Sequence, residues 1–176
     1  KQREALAILQ MIKMQNMIKT RGELLNMANL FAQFGAPYEA GKLIEEGVRA
    51  GLIKEDLRTL TALAETWLMA KEYNRAVIPL EKAADLSKDS FRHMRLAQIY
   101  VELERWQKSI KMAQAALKKP KVAKRGELHL LIGMSYFQLR RKNKAKAAFV
   151  KAQLFPATSR QATDWITALA QHPTMQ

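Results

Sequence analysis

Three histidines, His93, His129 and His172, are the residues of this 176-residue sequence most able to bind a metal or move a proton. Neutral imidazoles are common ligands of zinc. His93 and His129 lie 36 residues apart, so a stacked helical fold could bring them onto neighbouring helices. The competing reading is structural: both occupy one recurring position of an internal repeat, where a partly buried side chain fits without any metal. The paired carboxylates Glu45–Glu46 and Glu102/Glu104 are the candidates for acid/base work. They stand among Lys and Arg in helical stretches, however, and read as solvated helix faces. The chain has no Cys, hence no thiolate ligand, no thiol nucleophile and no disulfide. It carries no G-x-S-x-G, no Walker phosphate loop, no H-E-x-x-H and no Rossmann glycine fingerprint. The expectation is a protein that is not an enzyme and has no catalytic, cofactor-binding or metal-ligating residues.

Charge is the stronger chemical signal. The net charge is +14, from 30 Lys and Arg against 16 Asp and Glu. Residues 20–55 and 56–89 each sum to −1, whereas residues 90–125 sum to +8 and 126–156 to +5. The basic set is Lys108, Lys111, Lys118, Lys119, Lys121, Lys124, Arg125, Arg140, Arg141 and Lys142, extended by Arg105, Lys144, Lys146 and Lys151. Only Glu102, Glu104 and Glu127 oppose it between residues 90 and 156. Burying unpaired charge is prohibitive, so the excess faces water or an acidic partner. Phosphates and anionic lipid head groups are candidates. No aromatic side chains alternate with the cations as a single-stranded nucleic-acid groove requires, which disfavours nucleic acid.

The elements that must position these residues repeat along the chain. Hydrophobic residues make up 48%, enough for a packed core and too many for a disordered chain. Apolar runs are short and broken by charge, so none spans a membrane. Four segments share one helical pattern: Leu24, Met27, Ala28, Phe31; Leu60, Leu63, Ala64, Trp67; His93, Leu96, Ala97, Tyr100; and His129, Ile132, Gly133, Tyr136. Each puts a large apolar residue, a small one and an aromatic on one face. A second helical stretch follows each segment, marked by Ala40, Ile44 and Gly47; Ala76, Leu80 and Ala83; Ser109, Ala113 and Ala116; and Ala145, Phe149 and Ala152. The small anchors fall 36, 33 and 36 residues apart. Two helices per period of about 34 residues is the tetratricopeptide-repeat signature.

The sequence therefore resembles the tetratricopeptide-repeat family over nearly its whole length. The resemblance implies an all-α superhelix of antiparallel helix pairs, more than three-quarters helical, with a C-terminal capping helix. It reads as one continuous domain. Residues 1–19 hold the second helix of a truncated repeat, seen as a helix over 4–18. Residues 20–55, 56–88, 89–124 and 125–156 are four repeats. Residues 157–176 are a capping helix, over 159–170, and a tail. Lys1 with no leader pattern suggests an excised piece. Gly47, His93, Ser109, Ala113 and His129 depart from the repeat consensus.

First-helix positions that the register turns inward define a candidate partner-binding groove: Leu25, Asn29, Arg58, Glu65, Phe91, Met94, Gln98, Val101, Leu130, Met134 and Phe137. Flexible Met beside Phe suits an adaptable binding surface, so Met94, Met134 and Phe137 are expected to be exposed. The family's carboxylate clamp for acidic chaperone tails is not matched, because only Asn29 and Arg95 fit its pattern.

A narrower resemblance lies in Leu24–Phe31, Gly35–Gly47, Leu63–Tyr73, Pro79–Ala84 and Arg95–Tyr100. These stretches are similar to the periplasmic tetratricopeptide-repeat protein encoded with TonB–ExbB–ExbD energy-transduction systems of Gram-negative bacteria. That resemblance implies a non-enzymatic scaffold in the periplasm. Its partner would be a protein or peptide, TonB, ExbB or ExbD components among the candidates, with the basic repeats steering an acidic partner. The alternatives are an interaction module of an unrelated assembly, or a binder of nucleic acid or anionic lipid through the basic face.

Overall fold

The structure, a computed structural model, describes residues 2–15, 18, 20–122 and 124–171. About 80% of it is helical, with no strand among the described residues. The helices are α1 Gln2–Met14, α2 Arg21–Gln33, α3 Pro37–Arg49, α4 Leu57–Met69, α5 Tyr73–Leu86, α6 Phe91–Glu102, α7 Trp106–Leu117, α8 Arg125–Gln138, α9 Lys142–Gln153 and α10 Pro156–Gln171. The expected all-α fold is thus observed. The chain divides into two compact units, Lys1–Leu86 and Ser87–Gln176.

Helix ends are set by local chemistry. In the first unit Thr20 and Glu23 form a reciprocal capping box at the start of α2, and the Asp56 carboxylate accepts from Thr59 N at 2.8 Å to start α4. Each satisfies backbone donors that the first helical turn leaves unpaired. The turn between paired helices needs one left-handed residue, and the same repeat position supplies it four times. Gly35 (φ 78°) fills it once, and Lys71 (φ 58°), Glu104 (φ 53°) and Arg140 (φ 57°) fill it at a steric cost.

In the first unit, α2 pairs with α3 and α4 with α5 around Leu24, Met27, Phe31, Leu43, Ile44 and Trp67. Trp67 is fully buried, and its Nε1 donates to Glu45 Oε1 at 3.1 Å. Two glycines make room here. A Cβ on Gly41 would lie 2.9 Å from the Trp67 ring, and one on Gly47 would lie 2.5 Å from Leu24 Cδ1. The departure at Gly47 is therefore a packing requirement.

In the second unit, α6 pairs with α7 and α8 with α9, and α10 closes the end against α9 and α8. Ser109 is fully buried; its hydroxyl donates to Ala97 O at 2.9 Å and lies 3.2 Å from Ser135 Oγ. A hydroxyl at a consensus alanine position is thus fully used. The terminal helix starts at Pro156, ahead of the expected residue 159, because proline is pre-organised for the first helical position and has no N–H to leave unpaired. Thr158 Oγ1 donates to Ala152 O at 2.8 Å, and Trp165 stacks on Phe149 with centroids 5.5 Å apart and planes 7° apart.

Candidate functional site

Four of the expected groove residues meet in the first unit. Leu25 and Asn29 of α2 and Arg58 and Glu65 of α4 line one cleft of about 330 Å³, together with Asn26 and Met69. Its floor is made of small side chains, Ala28, Ala32 and Ala62, which hold the two helices close and leave a trough between the longer residues. Asn29, Arg58 and Glu65 are exposed, and none makes a hydrogen bond or ion pair with another described residue. Met69 is 59% exposed at the edge. Thr59 also lines the cleft, with its Oγ1 buried beneath the surface. At the head of α4, Asp56 has its carboxyl held below the usual range, first by the Thr59 backbone N–H and then by the Thr59 hydroxyl and Arg21. This keeps the cap ionised and α4 anchored.

The expected groove residues of the second unit are placed differently. Met94 and Leu130 are buried core residues. Met134 and Phe137 pack against the core that α10 completes, with Phe137 edge-on to Trp165 at 5.1 Å. The expected exposure of Met94, Met134 and Phe137 is therefore corrected: the capping helix and the neighbouring repeat use them as apolar surface to cover. Gln98 and Val101 are half-buried, and Gln98 accepts from Arg95 Nη1 at 3.4 Å. Phe91, the first residue of α6, is 60% exposed.

The basic residues lie at the surface, with Lys119 and Lys142 half-buried. They do not form a single patch. The helices of the second unit alternate in direction across short turns, so its cations gather at two opposite ends. Lys118, Lys119, Lys121, Lys124 and Arg125 stand where α7 ends and α8 begins. Arg140, Arg141 and Lys142 stand at the other end, where α8 turns into α9, and Lys108 and Lys111 lie on α7. Lys108 Nζ sits 5.4 Å over the Tyr100 ring, and Lys144 Nζ 5.8 Å over Tyr136. Arg75 lies over Trp67 in the same way at 4.6 Å. A cation eight residues after the repeat aromatic thus packs on it in three successive repeats, an attraction between positive charge and the ring face. The register of the repeats held this signal.

His93 is buried and His129 half-buried. His129 stacks on Phe155 with centroids 6.2 Å apart. Burial, then Lys151 and Arg125, push its pKa below the ordinary 6.5. Among the described residues no three His, Asp or Glu side chains group as a metal site, and no helix is long and apolar enough to cross a membrane. His172 lies outside the described residues.

A second cleft of about 440 Å³, between α3 and α5, went unmarked in the sequence. Exposed Ile78 and buried Pro79 form its apolar part, at second-helix positions outside the groove register. Ion pairs Lys82–Glu55 at 2.7 Å and Arg75–Glu45 at 3.9 Å already engage four of its charged groups.

No protein-family profile matches the chain, and no curated protein matches it. Solved structures do. MamA (MSR-1) is 22% identical and superposes with a TM-score of 0.69, over 90% of this chain and 88% of that one. Another crystal structure of MamA is 17% identical with a TM-score of 0.69, over 84% and 85%. YrrB, described as a tetratricopeptide-repeat protein with an unusual peptide-binding site, is 14% identical with a TM-score of 0.66, over 93% and 82%. The chain has the all-α fold of tetratricopeptide-repeat solenoids, ending in a capping helix.

Proposed function

We propose that this chain is a non-enzymatic scaffold that holds a peptide segment of a partner protein in the cleft between α2 and α4. The observation that carries this reading is the convergence of Asn29, Arg58 and Glu65, with no bonds to other described residues, on a trough edged by Leu25 and Met69. An amide offers both donor and acceptor to an extended main chain. A guanidinium and a carboxylate select charged side chains of opposite sign. Leu25 and Met69 supply adaptable apolar contact. The larger cleft between α3 and α5 is the weaker candidate, since its own ion pairs occupy four of its five charged groups.

The finer assignment rests on the narrower resemblance. The stretches Leu24–Phe31, Gly35–Gly47 and Leu63–Tyr73, which build α2, α3 and α4, support a role as an accessory component of a TonB–ExbB–ExbD uptake system, acting in the periplasm. Immobilised protein and its Arg58→Glu/Glu65→Arg variant, challenged with periplasmic extract and then with purified TonB, ExbB and ExbD soluble segments, test both levels. Retention of one of these segments by the native chain and its loss with the variant is the expected result. Equal retention by both moves the site elsewhere. Retention of none of them removes the uptake-system assignment.

A further inference from the structure

The boundary between the compact units is also a charge boundary: Lys1–Leu86 carries +1 and Ser87–Gln176 carries +13. Both basic ends of the second unit hold cations without ion pairs to described residues, Arg140 and Arg141 at one of them, and the ends differ in what surrounds those cations. Where α6 turns into α7 and α8 into α9, Lys108 and Lys144 lie on their own aromatic rings, and Arg105 and Lys142 have interactions within the chain. At the opposite end stand Lys118, Lys119, Lys121, Lys124, Arg125 and Lys151. That end is closely knit: Ser90 Oγ donates to Lys121 O at 2.9 Å, and Lys119 Nζ donates to Ser87 O at 3.2 Å. One carboxylate, Glu127, pairs with Lys124 at 2.9 Å, while Asp89 is taken by Arg92 at 2.8 Å. Lys118, Lys121, Arg125 and Lys151 make no ion pair with any described residue.

Local electrostatics argue against a purely structural role. Lys124 and Arg125 occupy the N-cap and first position of α8, with no side-chain cap, and positive charge there opposes the helix dipole. The first unit puts Thr20 and Asp56 at the corresponding positions of α2 and α4. The His129 pKa is lowered first by burial and then by the charges of Lys151 and Arg125.

The same end exposes two apolar side chains that nothing in the unit covers. Phe91 at the start of α6 is 60% exposed, and Leu154 at the end of α9 is 76% exposed. We propose that this end of the second unit, with Phe91 and Leu154 set among Lys118, Lys121, Arg125 and Lys151, docks on an anionic lipid bilayer surface. Charge complementarity supplies the attraction, and the two apolar side chains enter the boundary between head groups and acyl chains. Lysine stems can lie along that boundary while the ammonium groups stay in water. An aliphatic leucine offers nothing to a nucleic-acid base, and one exposed phenylalanine does not make a stacking platform.

Sedimentation of the full chain with vesicles tests the proposal. The vesicles are phosphatidylcholine alone, or phosphatidylcholine mixed with phosphatidylglycerol, at near-physiological salt. The expected result is binding to the mixed vesicles only, weakening as salt rises. Each charge near such a surface contributes roughly fivefold in partitioning. Lys118→Glu/Lys121→Glu/Arg125→Glu should therefore lower binding by about a hundredfold or more. Arg140→Glu/Arg141→Glu/Lys146→Glu, with the same change in net charge, should lower it far less. Phe91→Ser/Leu154→Ser should cost about tenfold and leave the salt dependence unchanged. Helical circular dichroism confirms that each variant is folded. Absence of binding to mixed vesicles overturns the proposal. So do equal effects of the two charge reversals, and so does a duplex DNA or polyglutamate probe that competes fully with the vesicles yet ignores the Phe91→Ser/Leu154→Ser change.

Discussion

Gly133→Ala is the sharpest test of the packing, because two opposing effects of known size meet at one atom. Gly133 lies inside α8. Alanine there raises helix propensity by about 1 kcal/mol over glycine. Its Cβ, however, would lie 2.5 Å from Phe149 Cδ1 and 2.9 Å from Cζ. The Phe149 ring is fully buried and parallel to Trp165, so it cannot turn aside without parting that stack. Overpacking of this kind costs about 1–3 kcal/mol, and loss of aromatic contact adds about 0.5–1.5 kcal/mol. The overlap is with rigid ring atoms rather than a flexible side-chain end, so the loss outweighs the gain, leaving a net destabilisation of about 0.5–3.5 kcal/mol. Urea unfolding followed by far-ultraviolet circular dichroism measures it. Gly22→Ala in α2 is the control, since nothing lies within 4 Å of its Cβ; it should be neutral or slightly stabilising. Gly133→Ala/Phe149→Leu should recover part of the loss. A Gly133→Ala protein as stable as the native chain, with Gly22→Ala unchanged, refutes the packing of α8 on α9.

Trp67→Ala should destabilise the first unit by about 3–5 kcal/mol through the cavity it leaves, read as a lower urea midpoint; an unchanged midpoint would show that the repeat aromatic is not core. Replacing Lys71 or Arg140, both left-handed, by glycine should raise stability by up to about 1 kcal/mol, whereas Gly35→Ala should lower it, and a thermal melt that reverses this order would sink the turn assignment. His129 has its folded pKa below the ordinary 6.5, so the unfolded chain binds a proton first as pH falls. Its contribution to stability is complete above the ordinary value and is lost as pH falls through the folded pKa. His129→Gln should flatten that part of the stability profile, and a proton-resonance titration placing His129 at or above 6.5 would contradict the stated environment.

The repeat register was legible because each repeat uses the same solution to the same contact. Ala28, Ala64 and Ala97 are all nearly or fully buried, and beside them Phe31, Trp67 and Tyr100 are completely enclosed. A pattern enforced at every helix pair survives in sequence even when single members drift. Departures could be seen but not explained. Gly47 is shaped by Leu24 and Ile53, and Ser109 by the Ala97 carbonyl and Ser135, and these partners lie 6 to 26 residues away, with no fixed offset to search for. The cations at 75, 108 and 144 do keep a fixed offset from the repeat aromatics. Net charge summed over a segment hides them, because the signal lies in repeat position rather than in total charge.

Four groove-register positions of the second unit met the opposite outcome from those of the first, and side-chain polarity accounts for these four, while Phe91 at the start of α6 stays exposed. Leu25, Asn29, Arg58 and Glu65 mix one apolar with three polar side chains, which a neighbouring helix cannot cover without stranding buried polar groups. Met94, Leu130, Met134 and Phe137 are all apolar, and covering them releases water from their surface at no such cost. A repeat position facing away from its own helix pair is therefore free only in the geometric sense. An apolar set there attracts the next element of the chain, as α10 covers Phe137. A mixed polar set there stays open to a ligand that can satisfy it. The inward polar residues of the first unit, rather than the methionines of the second, are the ones left exposed.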